Sequence, residues 1–198
     1  LASIISGAGA TQQMDGWHAC GPLCCFGALS SGDIELLEYQ YPILIHKYGL
    51  AEDSGGAGEY RGGCGTVWEV EPLGHEMTVV AFGEGREHPT MGAAGAEQIS
   101  PELKLGRLEI IHQDGVTDLY KQNTVTEIQP GDRARNTNPG GGGYGSSFVR
   151  SIPAVLKDVE ERIISVAAAK TEYGVVIDPH TLAVNEAETE SLRRKMTA

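Results

Sequence analysis

Leu108-Glu109-Ile110-Ile111-His112-Gln113-Asp114-Gly115-Val116-Thr117-Asp118-Leu119-Tyr120 decides how this chain folds. Two apolar, β-prone runs flank an Asp-Gly pair. Asp-Gly is a strong hairpin signal because both central positions of the turn tolerate positive φ. A hairpin makes its two strands antiparallel neighbours. Outward from it, Ile43–Tyr48, Thr66–Glu71 and Met77–Phe82 also read as strands. Thr66–Glu71 alternates as a strand with one wet face should. Asp33–Pro42 reads as a short turn of helix or an extended arm, since Pro42 biases Tyr41 away from helical φ and ψ.

After Pro153 the periodicity changes from two to helical spacing. Pro153–Arg162 and Ser165–Glu172 read as helices. Pro153 suits a first turn, Ser165 an N-cap, and Gly174 the stop after the second helix. Val175–Ile177 reads as a short strand closed by Pro179, and Glu186–Lys195 as a charged, exposed helix. The expected fold class is α+β. Residues 1–150 form a glycine-rich, mainly antiparallel β region, and residues 151–198 a small helical region.

Two glycine-dense loops interrupt this pattern. The first is Asp53-Ser54-Gly55-Gly56-Ala57-Gly58-Glu59-Tyr60-Arg61-Gly62-Gly63-Cys64-Gly65, and Arg133–Thr137 leads into the second, Asn138-Pro139-Gly140-Gly141-Gly142-Gly143-Tyr144-Gly145. Glycine loses more backbone entropy on folding than any other residue. Such density makes sense where the backbone takes positive φ or where another group lies directly on it. The tyrosines, Arg61 and Glu59 inside the loops argue against plain linkers.

The 198 residues allow one large domain, or one domain and an appendage. The 27 acids outnumber 15 bases, giving a net charge of −12 that opposes nucleic-acid binding. No apolar run is long enough to span a bilayer. The opening Leu1-Ala2-Ser3-Ile4-Ile5 reads as the middle of a longer polypeptide, so a processed product or one piece of a subunit is expected. Residues 1–33 are apolar and poorly charged, too much so for a disordered tail, and are expected to pack against something. Cys20, Cys24, Cys25 and Cys64 do not suit a disulfide framework, so a reduced, cytoplasmic setting is expected.

Residue types alone bear on several chemistries. Neither loop carries the Gly-Lys-Ser/Thr of a phosphate-binding loop. Gly140, Gly142 and Gly145 satisfy G-x-G-x-x-G, but no helix opens directly after them, which excludes a dinucleotide site. Arg61, between glycine pairs, could fork onto a carboxylate or phosphate, or pair with Asp53 to pin the loop. Asp53 and Arg61 are the candidate catalytic residues. His18, Cys20, Cys24 and Cys25 have zinc-type ligand chemistry at unsuitable spacing, so no metal is expected here. His46, His75, His88, His112 and His180 form no ligand-spaced pair. Cys64 reads as a small buried residue rather than a nucleophile. Glu35 and Glu38 share a helix face, where partner contact or solvation is the commoner use.

Glu35-Leu36-Leu37-Glu38, Tyr41-Pro42, the two glycine loops, and then Val155, Asp158-Val159, Ile164-Ser165, Ala168 and Tyr173-Gly174-Val175 together resemble the B-type subunits of ATP-dependent hydantoinases and 5-oxoprolinases. The resemblance runs in order from Met14-Asp15-Gly16 to Ile177. It implies an A-type partner subunit of actin-like ATPase fold that holds ATP and Mg. That partner activates a poorly reactive carbonyl by phosphorylation before a cyclic amide is hydrolysed. It equally admits the related acetone and acetophenone carboxylases, which carboxylate ketones, and a non-catalytic assembly role. The family's metal-binding Asn-Asp-Pro-Tyr motif is absent. The chain thus corresponds to a C-terminal portion, and the divalent metal is expected in the missing N-terminal half, within a larger hetero-oligomer. The resemblance implies that Gly55, Gly56, Gly58, Gly62, Gly63, Asn138, Gly140, Gly141, Gly142, Gly143 and Tyr144 shape a substrate channel or subunit seam.

Overall fold

The computed structural model describes residues 5–21, 32–83, 85–96 and 99–196. Its order is α1 (Ile34–Gln40), β1 (Ile43–Leu50), β2 (Thr66–Pro72), β3 (Met77–Ala81), α2 (Pro101–Lys104), β4 (Arg107–Ile111), β5 (Thr117–Tyr120), β6 (Thr124–Ile128), β7 (Arg133–Thr137), α3 (Ile152–Glu160), α4 (Val166–Tyr173) and α5 (Glu186–Met196). The class is α+β, as the sequence implied. Five strands form one sheet in the order β1-β2-β7-β4-β5, and β3 and β6 pair as a two-stranded ribbon. Every strand pairing is antiparallel.

Register explains where the sheet core sits. Val70 faces Ala134, and Ala134 faces Ile110, so three neighbouring strands present small and branched side chains side by side. Leu108 and Ile43 join them, and Ala81 and Ile128 at the ribbon ends complete the cluster. On the opposite sheet face, Glu69 accepts 2.7 Å bonds from both Arg133 and Arg135.

The β4–β5 hairpin forms as expected, with one change. Gly115 takes φ 86°, but Asp114 stays at ordinary φ. Its carboxylate instead accepts the Val116 N–H at 2.9 Å, an Asx-type turn. Asp33–Pro42 resolves to helix: the Asp33 side chain accepts the Leu36 N–H and caps α1. Strands β6 and β7 and helix α2 were not foreseen; Arg133–Thr137, read only as the lead into the second glycine loop, is the central strand of the large sheet.

The second hydrophobic cluster belongs to the helices. Val155, Val159, Ile163, Ile164, Ala168, Ala169, Tyr173, Val175 and Ile177 pack together, and Ala57 and Cys64 of the first glycine loop insert among them. Pro153 lies in the first turn of α3. Ser165 caps α4 by accepting the Ala168 N–H, and Gly174 ends it at φ 65°. The expected strand at 175–177 does not form. Val175 turns back to donate to Ala169, and only Ile177 makes an isolated bridge, to Val184.

Candidate functional site

The two glycine loops lie against each other and against residues 7–17. The close approach explains most of the glycines, not positive φ: in the second loop only Gly145 has it, at 71°, and no glycine of the first loop does. A Cβ on Gly62 would fall on the Gly141 carbonyl, on Gly63 the Trp17 carbonyl, on Gly140 the Ser54 carbonyl, and on Gly143 the Ala57 carbonyl. A Cβ on Gly56 would come within 2.7 Å of the Gly143 nitrogen. The freed space is filled by main-chain hydrogen bonds. Gly56 donates to Gly141 at 2.8 Å, Gly141 to Gly63 at 2.9 Å, Gly63 to Ala8 at 2.8 Å, and Tyr60 and Tyr144 exchange a reciprocal pair. This is backbone packed on backbone, by the steric logic that reserves the crowded collagen axis for glycine. Asn138 is buried and donates to Thr66 Oγ1 at 2.9 Å, which ties the second loop to β2.

This framework holds a group of four charges, three of them buried and the fourth, Asp15, half-buried. Arg150 forks onto Asp15 with two 2.7 Å bonds, and its Nη2 also reaches Asp158 at 2.9 Å. Arg61 Nε lies 3.3 Å from the other oxygen of Asp158, and its backbone N–H donates to Asp15 at 2.7 Å. Arg61, Arg150 and Asp158 are each at most 5% exposed. Two cations and two anions cancel, which is what makes their burial tolerable. Arg150 is fixed further by donating to the Glu59 carbonyl, while its own carbonyl accepts from Arg193. Burial alone would raise the Asp15 carboxyl, but the Arg150 fork and Arg61 outweigh it and hold the pKa below the usual carboxylate range. Asp15 is therefore a fixed anion, not a proton acceptor at neutral pH.

The expected pairing of Arg61 with Asp53 is not what the chain does. Asp53 lies at φ 62°, accepts the Ser165 N–H at 2.7 Å, and offers its carbonyl to Lys104 Nζ at 2.6 Å. It steadies the start of α4. Arg61 finds Asp15 and Asp158, partners far away in sequence. Asp15 and Asp158 fall in the blocks that carry the family resemblance, and that was the one signal able to find them. Arg150 had none.

Beside this group opens a cleft of about 430 Å³, lined by Asp15, Glu59, Tyr60, Val149, Arg150 and Ser151 among others. That size suits a small molecule or an inserted side chain. A second buried pair stands behind the loops: Lys104 Nζ meets Glu172 Oε2 at 3.0 Å, with Glu172 fully buried. Burial raises the Glu172 pKa, and Lys104 counters it only in part.

Among the described residues, the metal-type side chains do not assemble into a ligand set. His18 Nδ1 accepts the Cys64 N–H at 2.9 Å, so that nitrogen is already used. Burial, then the Arg61 charge, lowers the His18 pKa and keeps the ring neutral. Cys20 is half-buried, and Cys24 and Cys25 lie outside the described residues. Among the described residues no three His, Cys, Asp or Glu side chains gather to hold a metal. Cys64 is fully buried, and burial pushes its thiol pKa up, away from nucleophile behaviour. Glu38 accepts the Ile45 N–H at 2.7 Å, which gives it a structural use. No helix among the described residues is long and apolar enough to cross a membrane.

The model of the family described as hydantoinase B/oxoprolinase matches residues 1–147. The caprolactamase subunit beta of Pseudomonas jessenii is 61% identical over 193 residues, covering 98% of this chain and 33% of that protein. The crystal structure of the ATP-dependent caprolactamase from the same organism superposes with a TM-score of 0.86 at 55% identity, over 98% of this chain and 33% of that one. A nucleotide-free acetone carboxylase superposes at TM-score 0.80 over 98% of this chain and 30% of that one; at 23% identity it shows the shared fold alone. The chain spans about a third of the length of these relatives.

Proposed function

Because the chain belongs to the hydantoinase B/oxoprolinase family, we propose that it is the C-terminal section of the B-type subunit of an ATP-dependent cyclic-amide hydrolase. The observation that carries this is the 61% identity to a caprolactamase subunit along almost the whole chain. In this reading an A-type, actin-like ATPase subunit holds ATP and Mg in the cytoplasm and supplies the phosphoryl group that activates the amide carbonyl. A divalent metal sits in the remaining portion of the B-type subunit. The set of His18 and Cys20 described above does not suit one.

This section's own contribution is rigidity and charge. The packed glycine loops form a wall tied by main-chain hydrogen bonds, with no room for a side chain at Gly56, Gly62, Gly140 or Gly143. Asp15, Arg61, Arg150 and Asp158 lock that wall to α3. Positioning of this kind supports catalysis by fixing reacting groups within fractions of an ångström. The cleft beside Arg150 and Ser151 is one part of this section open to a substrate or to a neighbouring subunit.

Native mass spectrometry of the complex purified through this chain, with every co-purifying polypeptide identified, tests the reading. The expected result is a B-type portion with the metal motif together with an actin-like ATPase. The chain recovered alone as a stable monomer would overturn it.

A further inference from the structure

The cleft of about 430 Å³ beside the charge group has a charge balance of its own. Asp15 and Glu59 both line it, and Arg150 is the one cation that does. Arg150 has nothing to spare. It forks onto Asp15, reaches Asp158 and donates to the Glu59 carbonyl. Its Nε makes no hydrogen bond but is buried, out of a ligand's reach. Arg61 and Arg150 together cancel Asp15 and Asp158, so the Glu59 carboxylate is left over as a net negative charge. Glu59 is exposed, and among the described residues no cation lies within ion-pair distance of it. The Asp15 side chain stays 33% exposed despite its partners. Its Oδ2 accepts one hydrogen bond, from Arg150 at 2.7 Å, which leaves a lone pair for a second donor.

This balance selects the sign of a ligand. A phosphate or carboxylate entering the cleft meets two acids and no free cation, whereas a cation is attracted by both acids. Met14, Val149 and Ala154 supply the apolar part of the lining. The remaining lining groups, Gln13, Tyr60 and Ser151, are neutral. An anionic end beside a short apolar wall is complementary to an ammonium on an aliphatic stem.

We propose that this cleft binds primary alkylammonium ions, and that its natural ligand is the ω-amino acid left when a cyclic amide is opened. Hydrolysis by water breaks the amide C–N bond and leaves a carboxylate at one end of the chain and an amine at the other. The amine takes up a proton at neutral pH. The ammonium pairs with Glu59 and the spare lone pair of Asp15, and the methylene stem lies on Met14, Val149 and Ala154. The carboxylate tail lies at the start of α3, where the Ser151 side chain makes no capping hydrogen bond. The identity of the ligand rests on the hydrolase reading above, while the ammonium chemistry rests on the lining of the cleft alone.

Calorimetric titration of the purified complex containing this chain tests the proposal, with n-pentylamine, δ-aminovalerate and valerate as probes. Wild type is compared with Glu59→Gln, which removes the charge and keeps the carbonyl that holds Arg150, and with Val149→Lys, which tethers a competing ammonium at an exposed position of the lining. Both amines should bind wild type and valerate should not. Glu59→Gln should weaken both amines about fivefold, the upper end of what an exposed ion pair gives. Val149→Lys should weaken them at least tenfold. Urea midpoints of the two variant chains should stay at the wild-type value, which separates lost binding from lost folding. No amine binding to wild type, valerate binding as tight as that of n-pentylamine, or amine binding within twofold of wild type in Glu59→Gln overturns the amine site. Binding of n-pentylamine without δ-aminovalerate overturns the product as its ligand. If the complex opens no cyclic amide while Glu59-dependent n-pentylamine binding persists, the hydrolase reading and the product identity fall and the amine site stands.

Discussion

Gly62→Ala places a methyl group on the Gly141 carbonyl, inside the contact between the two loops. Gly62 does not sit at positive φ, so the perturbation is steric and not conformational. The loops must part to admit the carbon. Two buried main-chain bonds lie directly at that point, Gly62 N–H to Gly56 and Gly141 N–H to Gly63, each 2.9 Å. A buried donor left unpaired costs roughly 1–3 kcal/mol. Losing both gives about 2–6 kcal/mol, a large share of the 5–15 kcal/mol by which domains are typically stable. Gly49→Ala in β1 is the control, because no atom lies within 4 Å of the added carbon. It should change stability by under about 1 kcal/mol and could raise it by restricting the unfolded chain. Urea unfolding followed by the fluorescence of Trp17 and Trp68 measures both. A Gly62→Ala midpoint shift equivalent to less than about 0.5 kcal/mol would refute the claim that the loops are held by backbone-to-backbone packing.

Other outcomes follow from the charges. Arg150→Met should cost about 3 kcal/mol in the same urea assay, since it leaves the two acids Asp15 and Asp158 with Arg61 as their one remaining cation. Lys104→Met should cost a similar amount by isolating Glu172, and Lys104→Met combined with Glu172→Leu should recover most of it. Asp15 titrates below its unfolded value of 3.8, so its contribution is present above that pH and is lost as pH falls through the lower folded pKa. Asp15→Asn should therefore flatten the acid limb of a stability–pH curve. His112 lies 3.2 Å from Asp118 and 3.1 Å from Asp132, and those hydrogen bonds raise its pKa above 6.5. Its contribution is present below pH 6.5 and fades as pH rises through the folded pKa, so His112→Ala should lose stability at pH 6 and little at pH 9.

The elements that were legible in the sequence are those governed by local chemistry. Asp114-Gly115, Pro153, Ser165 and Gly174 each act within one turn of chain, and each marks the element boundary it implied. Strand β6 was hidden because its pattern is inverted: Val125 is exposed while Thr124 and Thr126 are half-buried. The glycine loops announced close approach but not the partner, since nothing in Gly140–Gly143 says that Ser54, Ala8, Met91 and Ala57 will lie on them. The charge group was illegible for the same reason. Asp15 and Arg150 stand 135 residues apart, and only the fold brings them together. Arg61 stands out by its glycine neighbours, yet Asp53, the acid nearby in sequence, spends its carboxylate on the Ser165 N–H.

The most direct test of the account is substrate-dependent ATP hydrolysis by the purified complex containing this chain. A lactam or other cyclic amide should accelerate ATP turnover and be opened to the amino acid, while a ketone with bicarbonate should do neither. Turnover driven by the ketone, or by no substrate of either kind, would contradict the assignment to a cyclic-amide hydrolase.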